Sequence, residues 1–488
     1  MNELLPVLVF APLVAAGVAA LTPERFAAWF TTATTALLTL LAVLVAVRVA
    51  ADGPLRLALG DWPVPVGITM RVDGLAAVML LLTGLVGTAV TIFATAARTL
   101  SRWFWPLWMF LYAGLAAVFV SGDLFNTYVS LELVTIGAVA LVAIGGRDSI
   151  EPALRYLFVA VLGSLAFLIA VGLLYARTGT LDIASVGDVL AGGAGEHDGA
   201  TALVALAIVT VAMALKTALF PLHGWLPPAH AGAPAAVSPL MSALVIKASF
   251  YVLVRVWVEL GGVAGAQALA QLLGALGTAA VVWGSVLALR QRALKRVVAY
   301  STVAQIGYFF LLFPLVTPAL SHDAAPGLVD AAEHAWRGVL LLVLAHGVAK
   351  AAMFLTAGAL VTGYGTDRLG ALRGSGNRFP MLAFAFGASG VCLAGLPPTL
   401  AFAGKWDALW ATLGTGQWWW LLALLGGTLL TLAYTARVLT IMLRVDVGGE
   451  QPAPIPARMR WSALVAAVVA AVGGLQAIGI ADLLGVLS

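Results

Sequence analysis

Charge is what this sequence has least of. Only 10% of its 488 residues are Asp, Glu, Lys or Arg, against 62% hydrophobic. With a mean hydropathy of +1.03, a water-soluble fold is excluded, because no globular core could hide that much apolar surface. Cysteine is nearly absent as well. Cys392 stands alone inside an apolar run, so no disulfide can close within the chain and the residue reads as a small packing group. No spacing of histidine, cysteine and carboxylate suggests a metal site, and no glycine-rich phosphate loop follows a strand, so no cofactor is expected. The 52 glycines are spread through apolar segments, where membrane helices pack closely.

What the chain has in abundance is apolar runs. Fourteen of them, near 4–21, 26–47, 74–97, 103–121, 124–145, 153–175, 201–221, 235–258, 266–289, 297–318, 338–361, 381–404, 418–443 and 461–484, predict an all-α integral membrane protein of about 14 transmembrane helices. The first run lacks a basic leader and a small-residue cleavage site and reads as a span rather than a signal peptide. The loops are short, so no soluble domain is expected. Residues 55–74, with alternating apolar residues, glycine and proline, predict a short external hairpin. Trp103, Trp105, Trp108 and Trp418, Trp419, Trp420 fall at run ends and read as interfacial anchors.

The basic residues divide by side. Loops after odd-numbered runs hold sixteen, among them Arg98, Arg147, Arg290, Arg292, Arg296, Arg368, Arg373 and Arg444; the alternate loops hold six and most of the acids. The positive-inside rule then puts the odd loops in the cytoplasm and both termini on the outer side. The formal net charge of +4 is thus accounted for by the membrane, and no nucleic-acid partner is implied.

Two proline clusters interrupt apolar runs. Pro221 should leave the carbonyl of Thr217 without its helical partner, and Pro397 with Pro398 should do the same to Leu393 and Ala394. Freed carbonyls at membrane depth are tolerated only against protein or a watery cavity, and paired breaks in the two halves of a chain point to transport sites.

Lysine is the rarest informative residue. There are five lysines against twenty-one arginines, and four of the five, Lys216, Lys247, Lys350 and Lys405, lie inside apolar runs. A desolvated lysine can release its proton whereas arginine cannot, so the segregation points to proton exchange. Glu132 joins them, about nine residues into its run and roughly 13 Å deep. Each ionised group near a helix centre costs on the order of 3 kcal/mol, so one glutamate and four lysines unpaired would cost roughly 15 kcal/mol. His346 and Lys350, four apart, share a helix face suited to passing a proton. His223, His230 and Asp123 are candidates for access or relay, and His197, His322 and His334 read as solvated residues of external loops.

The segments GDLFNTYVSLEL around Glu132, ALKTALFPLHGWLPPAHAGAPAAVSPLMSALVIK from Lys216 to Lys247, LKRVVAYSTVAQIGY, HGVAKAAMFLTAG and GLPPTLAFAGKW resemble the antiporter-like subunits shared by multisubunit Mrp-type Na+/H+ antiporters, complex I and membrane-bound hydrogenases. Lysine rather than glutamate at position 405 argues against one complex I subunit type, and FNTYVSLEL with the overall length looks most like the D subunit of an Mrp antiporter. The resemblance implies two inverted five-helix repeats with broken helices 7 and 12, over 103–260 and 261–445. It implies an N-terminal region 1–102 carrying the hairpin and a last helix in 446–488. It further implies a proton path with Glu132 and Lys216 as a charge pair, Lys247 as central relay, His346 and Lys350 as link, and Lys405 in the second half. Partners would be other membrane subunits of an antiporter or respiratory complex in a bacterial inner membrane, with protons and, as an open question, Na+ as the transported ions. A proton-pumping arm of a quinone- or hydrogen-linked oxidoreductase is the competing expectation.

Overall fold

The computed structural model describes residues 2–62, 67–97, 99–192, 196–321, 323–444 and 452–485. Arg98 and His322 lie outside the described residues, as does the side chain of His197. Helices α1 (Leu5–Leu21) and α2 (Glu24–Asp52) lead to a two-stranded antiparallel hairpin, β1 (Leu55–Ala58) and β2 (Thr69–Val72), in the register Leu55 with Val72. The expected hairpin is therefore present. Helices α3 (Gly74–Ala94), α4 (Phe104–Val120), α5 (Leu124–Ala143) and α6 (Arg147–Thr178) follow, then α7 (Ile183–Gly192) and α8 (Glu196–Thr217).

Beyond α8 the chain turns through Leu222–Trp225 into α9 (Leu226–Gly232), then α10 (Val237–Leu240), a wide π turn at Met241–Val245, and α11 (Ile246–Leu260). The second half holds α12 (Ala266–Arg290), α13 (Leu294–Phe309), α14 (Leu312–Val316), α15 (Pro326–Tyr364), α16 (Ser375–Arg378), α17 (Pro380–Ala394) and α18 (Leu400–Gly414). It closes with α19 (Leu421–Leu443), α20 (Ala457–Val472) and α21 (Ala477–Leu484).

Among the described residues, eleven helices are long and apolar enough to cross a membrane, while α1, α4 and α17 are apolar but shorter. The protein is a multi-pass, all-helical membrane protein. Segments α11, α13 and α15 are buried on nearly every face, whereas α2, α6, α12 and α19 keep exposed apolar stripes such as Leu37, Leu40 and Leu44 on α2. Lipid is the solvent for those stripes.

Side chains cap three of the helices that frame the interior. The Asp73 carboxylate accepts from the Ala76 amide (3.1 Å), Asp123 from Asn126 (2.7 Å) and Thr399 from Phe402 (3.3 Å), each satisfying a first-turn donor. Small residues set a close helix crossing between α15 and α18. At Gly338 on α15 and Gly404 on α18, a Cβ on either glycine would come within 2.8 Å of the other's carbonyl oxygen, so no larger residue fits this contact.

Both proline clusters end helices where expected. Helix α8 stops at Thr217 and α17 at Ala394, and the Phe220–Pro221 and Pro397–Pro398 bonds are cis. At the second break the freed carbonyls are taken by side chains. Ala394 O accepts from Lys405 Nζ (3.0 Å) and Thr428 Oγ1 (3.1 Å), and Leu393 O from Gln305 Nε2 (3.4 Å). At the first, Trp225 Nε1 donates to Leu215 O (3.0 Å).

The tryptophan expectation needs correction. Trp103, Trp418 and Trp419 are exposed, but Trp105, Trp108 and Trp420 are buried. Trp108 donates to Thr35 Oγ1 (3.2 Å) and Trp420 to Gln417 Oε1 (3.0 Å). In each group the helical turn aims some indoles inward, which position at a run end does not reveal.

Candidate functional site: a buried row of charges

Four lysines and one histidine line the interior with a partly exposed glutamate, Glu132, beside the first of them, and each lysine is held by hydroxyls or backbone carbonyls. On α8, Lys216 Nζ donates to Thr135 Oγ1 on α5 (3.0 Å) and lies 3.9 Å from Glu132 Oε1, so the expected charge pair is formed. The pair is loose. That Glu132 oxygen is buried with no hydrogen-bond partner among the described residues, which leaves the carboxylate free to engage or release the ammonium. A cavity of about 10 Å3 bounded by Thr135, Tyr156, Lys216, Val245 and Ser249 opens from Lys216 toward α11. Its size is near the minimum that holds one water.

Lys247 on α11 is completely buried. Its Nζ donates to Ser242 O (2.9 Å), a carbonyl of the π turn, and lies 2.7 Å from Nδ1 of His346 on α15, within hydrogen-bond distance. Wide turns of this kind often mark functional sites because they leave a backbone acceptor unclaimed. Lysine and imidazole therefore touch across two helices. His346 and Lys350, in contrast, are not joined by any hydrogen bond among the described residues. Lys350 Nζ instead donates to Val298 O (3.2 Å) and to the Ser301 hydroxyl on α13. The four-residue spacing puts both groups on one face of α15 but does not identify the helices facing them.

Helix α13 supplies what sequence reasoning missed. Ser301 meets Lys350, Thr302 Oγ1 lies 2.9 Å from Ser242 Oγ beside Lys247, and Gln305 Nε2 approaches Thr431 Oγ1 (3.3 Å). Tyr308 completes the face: Lys405 Nζ lies 3.5 Å from its hydroxyl and 4.5 Å from its ring centroid. Lys405 also donates to Thr428 Oγ1 (2.6 Å) and to the freed carbonyl of Ala394. Ser301, Gln305 and Tyr308 recur at intervals of four and three in an apolar run, which is the helical period of one polar face. That spacing was the available signal.

The remaining candidates make no hydrogen bond to the row among the described residues, although His230 borders it. Asp123 serves as the cap of α5; burial pushes its carboxyl up, the amides of Asn126 and Phe125 draw it down, and the neighbouring Asp182 adds to the rise. His223 lies in the turn after α8 and stacks on Phe220 at 5.6 Å. His230 is fully buried against Phe354 at 4.6 Å, one turn beyond Lys350 on α15, and neither ring nitrogen has a hydrogen-bond partner among the described residues. His334 corrects an expectation: it belongs to α15, and its Nδ1 is 2.9 Å from Asp407 Oδ1 on α18. The run of acids and loop residues before 338 concealed the long helix.

At the end of α11 remote from the π turn, Arg255 pairs with Asp73, which Arg71 also approaches at 3.5 Å. Burial works against the Asp73 carboxylate. The charge and hydrogen bond of Arg255, with the Ala76 amide and Arg71, outweigh it and hold the group below its ordinary range. Among the described residues no three histidines, cysteines or carboxylates gather as a metal site.

A multi-pass helical bundle that threads lysines, a glutamate and an imidazole through its lipid-shielded interior is a membrane protein organised around buried ionisable groups. The chain belongs to the NADH:quinone oxidoreductase/Mrp antiporter transmembrane family, which matches residues 121–431. It is 34% identical to the N subunit of the NADH-quinone oxidoreductase of Desulforudis audaxviator over 82% of this chain and 77% of that one. It is 28% identical to the D subunit of the Na(+)/H(+) antiporter of Bacillus subtilis over 88% of this chain and 83% of the relative. Among solved structures, a chain of the Mrp complex from Dietzia sp. superposes with a TM-score of 0.87 at 26% identity, covering 99% of this chain and 96% of that chain.

Proposed function

We propose that the chain is the proton-translocating subunit of a multisubunit cation/H+ antiporter complex. Protons move along Glu132, Lys216, Lys247, His346, Lys350 and Lys405, with the α13 face of Ser301, Gln305 and Tyr308 bridging the last two lysines. The observation that carries this reading is the direct contact of Lys247 with His346, two exchangeable groups from different helices in a site closed to solvent. Glu132 beside Lys216 favours the ammonium form. Separating the pair removes that support and lets the proton pass toward Lys247. A membrane potential supplies roughly 2.3 kcal/mol per charge per 100 mV, enough to bias such steps.

The architecture that accompanies this function is fourteen spans with two inverted repeats over 103–260 and 261–445, both termini on the outer side of a bacterial inner membrane. The helix breaks after Thr217 and Ala394 support the repeat, and the arginine-rich odd loops support the orientation. His223, His230 and Asp123 serve access to the row rather than the row itself.

A second reading is favoured by one observation, the 34% identity to an NADH-quinone oxidoreductase component. In that reading the same row is the pumping arm of a redox-linked complex. Everted vesicles bearing the complex decide between them. Acid-loaded vesicles that release protons on addition of Na+, without any electron donor, support the antiporter reading; acidification only on addition of a reductant and quinone supports the other.

A further inference from the structure

A broad open cavity lies away from the charge row. It measures about 1180 Å3 and is lined, among the described residues, by seven arginines and one carboxylate, Asp367. Arg290 ends α12, Arg292 follows it, Arg296 lies in the first turn of α13, Arg368 and Arg373 come from the loop after α15, and Arg437 and Arg444 from the end of α19. The positive-inside rule explains arginine on this face and a helix dipole explains Arg290 at a C-terminus. Neither explains why a third of the chain's arginines border one basin.

The basin is built rather than incidental. Leu294 N donates to Asp367 O (2.7 Å) and Leu369 N to Arg292 O (2.9 Å), so the two loops are zipped together by backbone pairing. Arg437 Nη1 is buried with no hydrogen-bond partner among the described residues, a donor held ready for an acceptor. Below the rim the surface turns apolar. Val282 and Val286 are exposed at four-residue steps leading to Arg290, with Trp283 beside them, and exposed Leu443 adjoins Arg444. Guanidinium groups chelate phosphate oxygens through paired N–H donors, and the flanking stripe offers room for acyl chains.

We propose that this basin is a binding site for the phosphate headgroup of an anionic phospholipid, with the acyl chains lying along α12 and α19. A soluble anion would use the arginines but not the apolar stripe, and a lipid uses both. The inference goes beyond the transport function and does not depend on which complex the chain serves.

Native mass spectrometry of the purified, assembled complex tests it. The complex is incubated with phosphatidylglycerol, with phosphatidylcholine, or with inorganic phosphate alone. Wild type should retain phosphatidylglycerol at collision energies that strip phosphatidylcholine, and the triple variant Arg292→Gln/Arg368→Gln/Arg437→Gln should retain it about tenfold less or worse. The single variant Arg437→Gln should shift retention in the same direction, and a triple Arg→Lys variant should recover part of it. Unchanged phosphatidylglycerol retention in the glutamine variants overturns the site. So does displacement of the lipid by millimolar inorganic phosphate, which would make it a site for a free anion.

Discussion

Nζ of Lys247 and Nδ1 of His346 stand 2.7 Å apart, joining α11 to α15 at a point closed to solvent. When Lys247 is an ammonium it can only donate, so Nδ1 then accepts and the neutral imidazole carries its proton on Nε2, which has no hydrogen-bond partner among the described residues. The imidazole is thus placed to take a proton at one nitrogen and release one at the other. Replacing His346 with Gln keeps an acceptor but removes the exchange. Cation-driven proton movement should fall by about 100-fold, the scale of a lost general acid–base group, while the complex still assembles. Copurification of partner subunits, measured beside transport, separates the two effects.

Tyr308 touches Lys405 through both its ring and its hydroxyl. Tyr308→Phe keeps the ring and should lower transport by a few-fold. Tyr308→Leu removes both and should lower it by about tenfold or more, since a desolvated cation–π contact is worth about 2 kcal/mol. Equal rates for the two variants would show that the ring plays no part.

The crossing of Gly338 with Gly404 brings α15, bearing His346 and Lys350, against α18, bearing Lys405. Gly404→Val forces the helices apart, because the nearest atoms are the Gly338 carbonyl oxygen and the amide nitrogen and Cγ of Leu342. Overpacking of this kind costs about 1–3 kcal/mol. The expected result is a complex that assembles with a lower melting temperature and transports slowly; a wild-type melting temperature would contradict the packing account.

Asp73 gives a pH signature outside the membrane spans. Its folded pKa lies below the ordinary value of 3.8, held there by Arg255, the Ala76 amide and Arg71 against the opposing effect of burial. The stability it contributes is therefore complete above about pH 4 and is lost as pH falls through the folded value. Asp73→Asn keeps a cap but leaves Arg255 without its counter-charge, a loss of about 3 kcal/mol at neutral pH. Melting temperatures of the solubilised complex should differ most at pH 7 and converge in strong acid. A constant difference would mean the pair is not electrostatic.

Much of this is legible in the letters. Lys216, Lys247, Lys350 and Lys405 stand out because a rare charged residue in an apolar run has few innocent explanations, and the proline clusters mark the breaks after Thr217 and Ala394 because proline cannot continue a helix. Their partners are not legible. Thr135, Ser301 and Thr428 are ordinary hydroxyl residues in membrane helices, and the carbonyls of Ser242 and Ala394 leave no trace in side-chain chemistry. Helical spacing links His346 to Lys350 because it reports a shared face, whereas the observed partner, Lys247, comes from ninety-nine residues away. His334 reads as a loop residue because α15 extends twelve residues beyond its apolar run.

The central claim is that Lys247 must release its proton as well as carry charge. Lys247→Arg tests it most directly, because guanidinium keeps the charge and does not deprotonate. Cation-driven proton flux should be abolished in vesicles containing the assembled Lys247→Arg complex, with partner subunits retained at wild-type levels. Wild-type proton flux through that complex would contradict the relay.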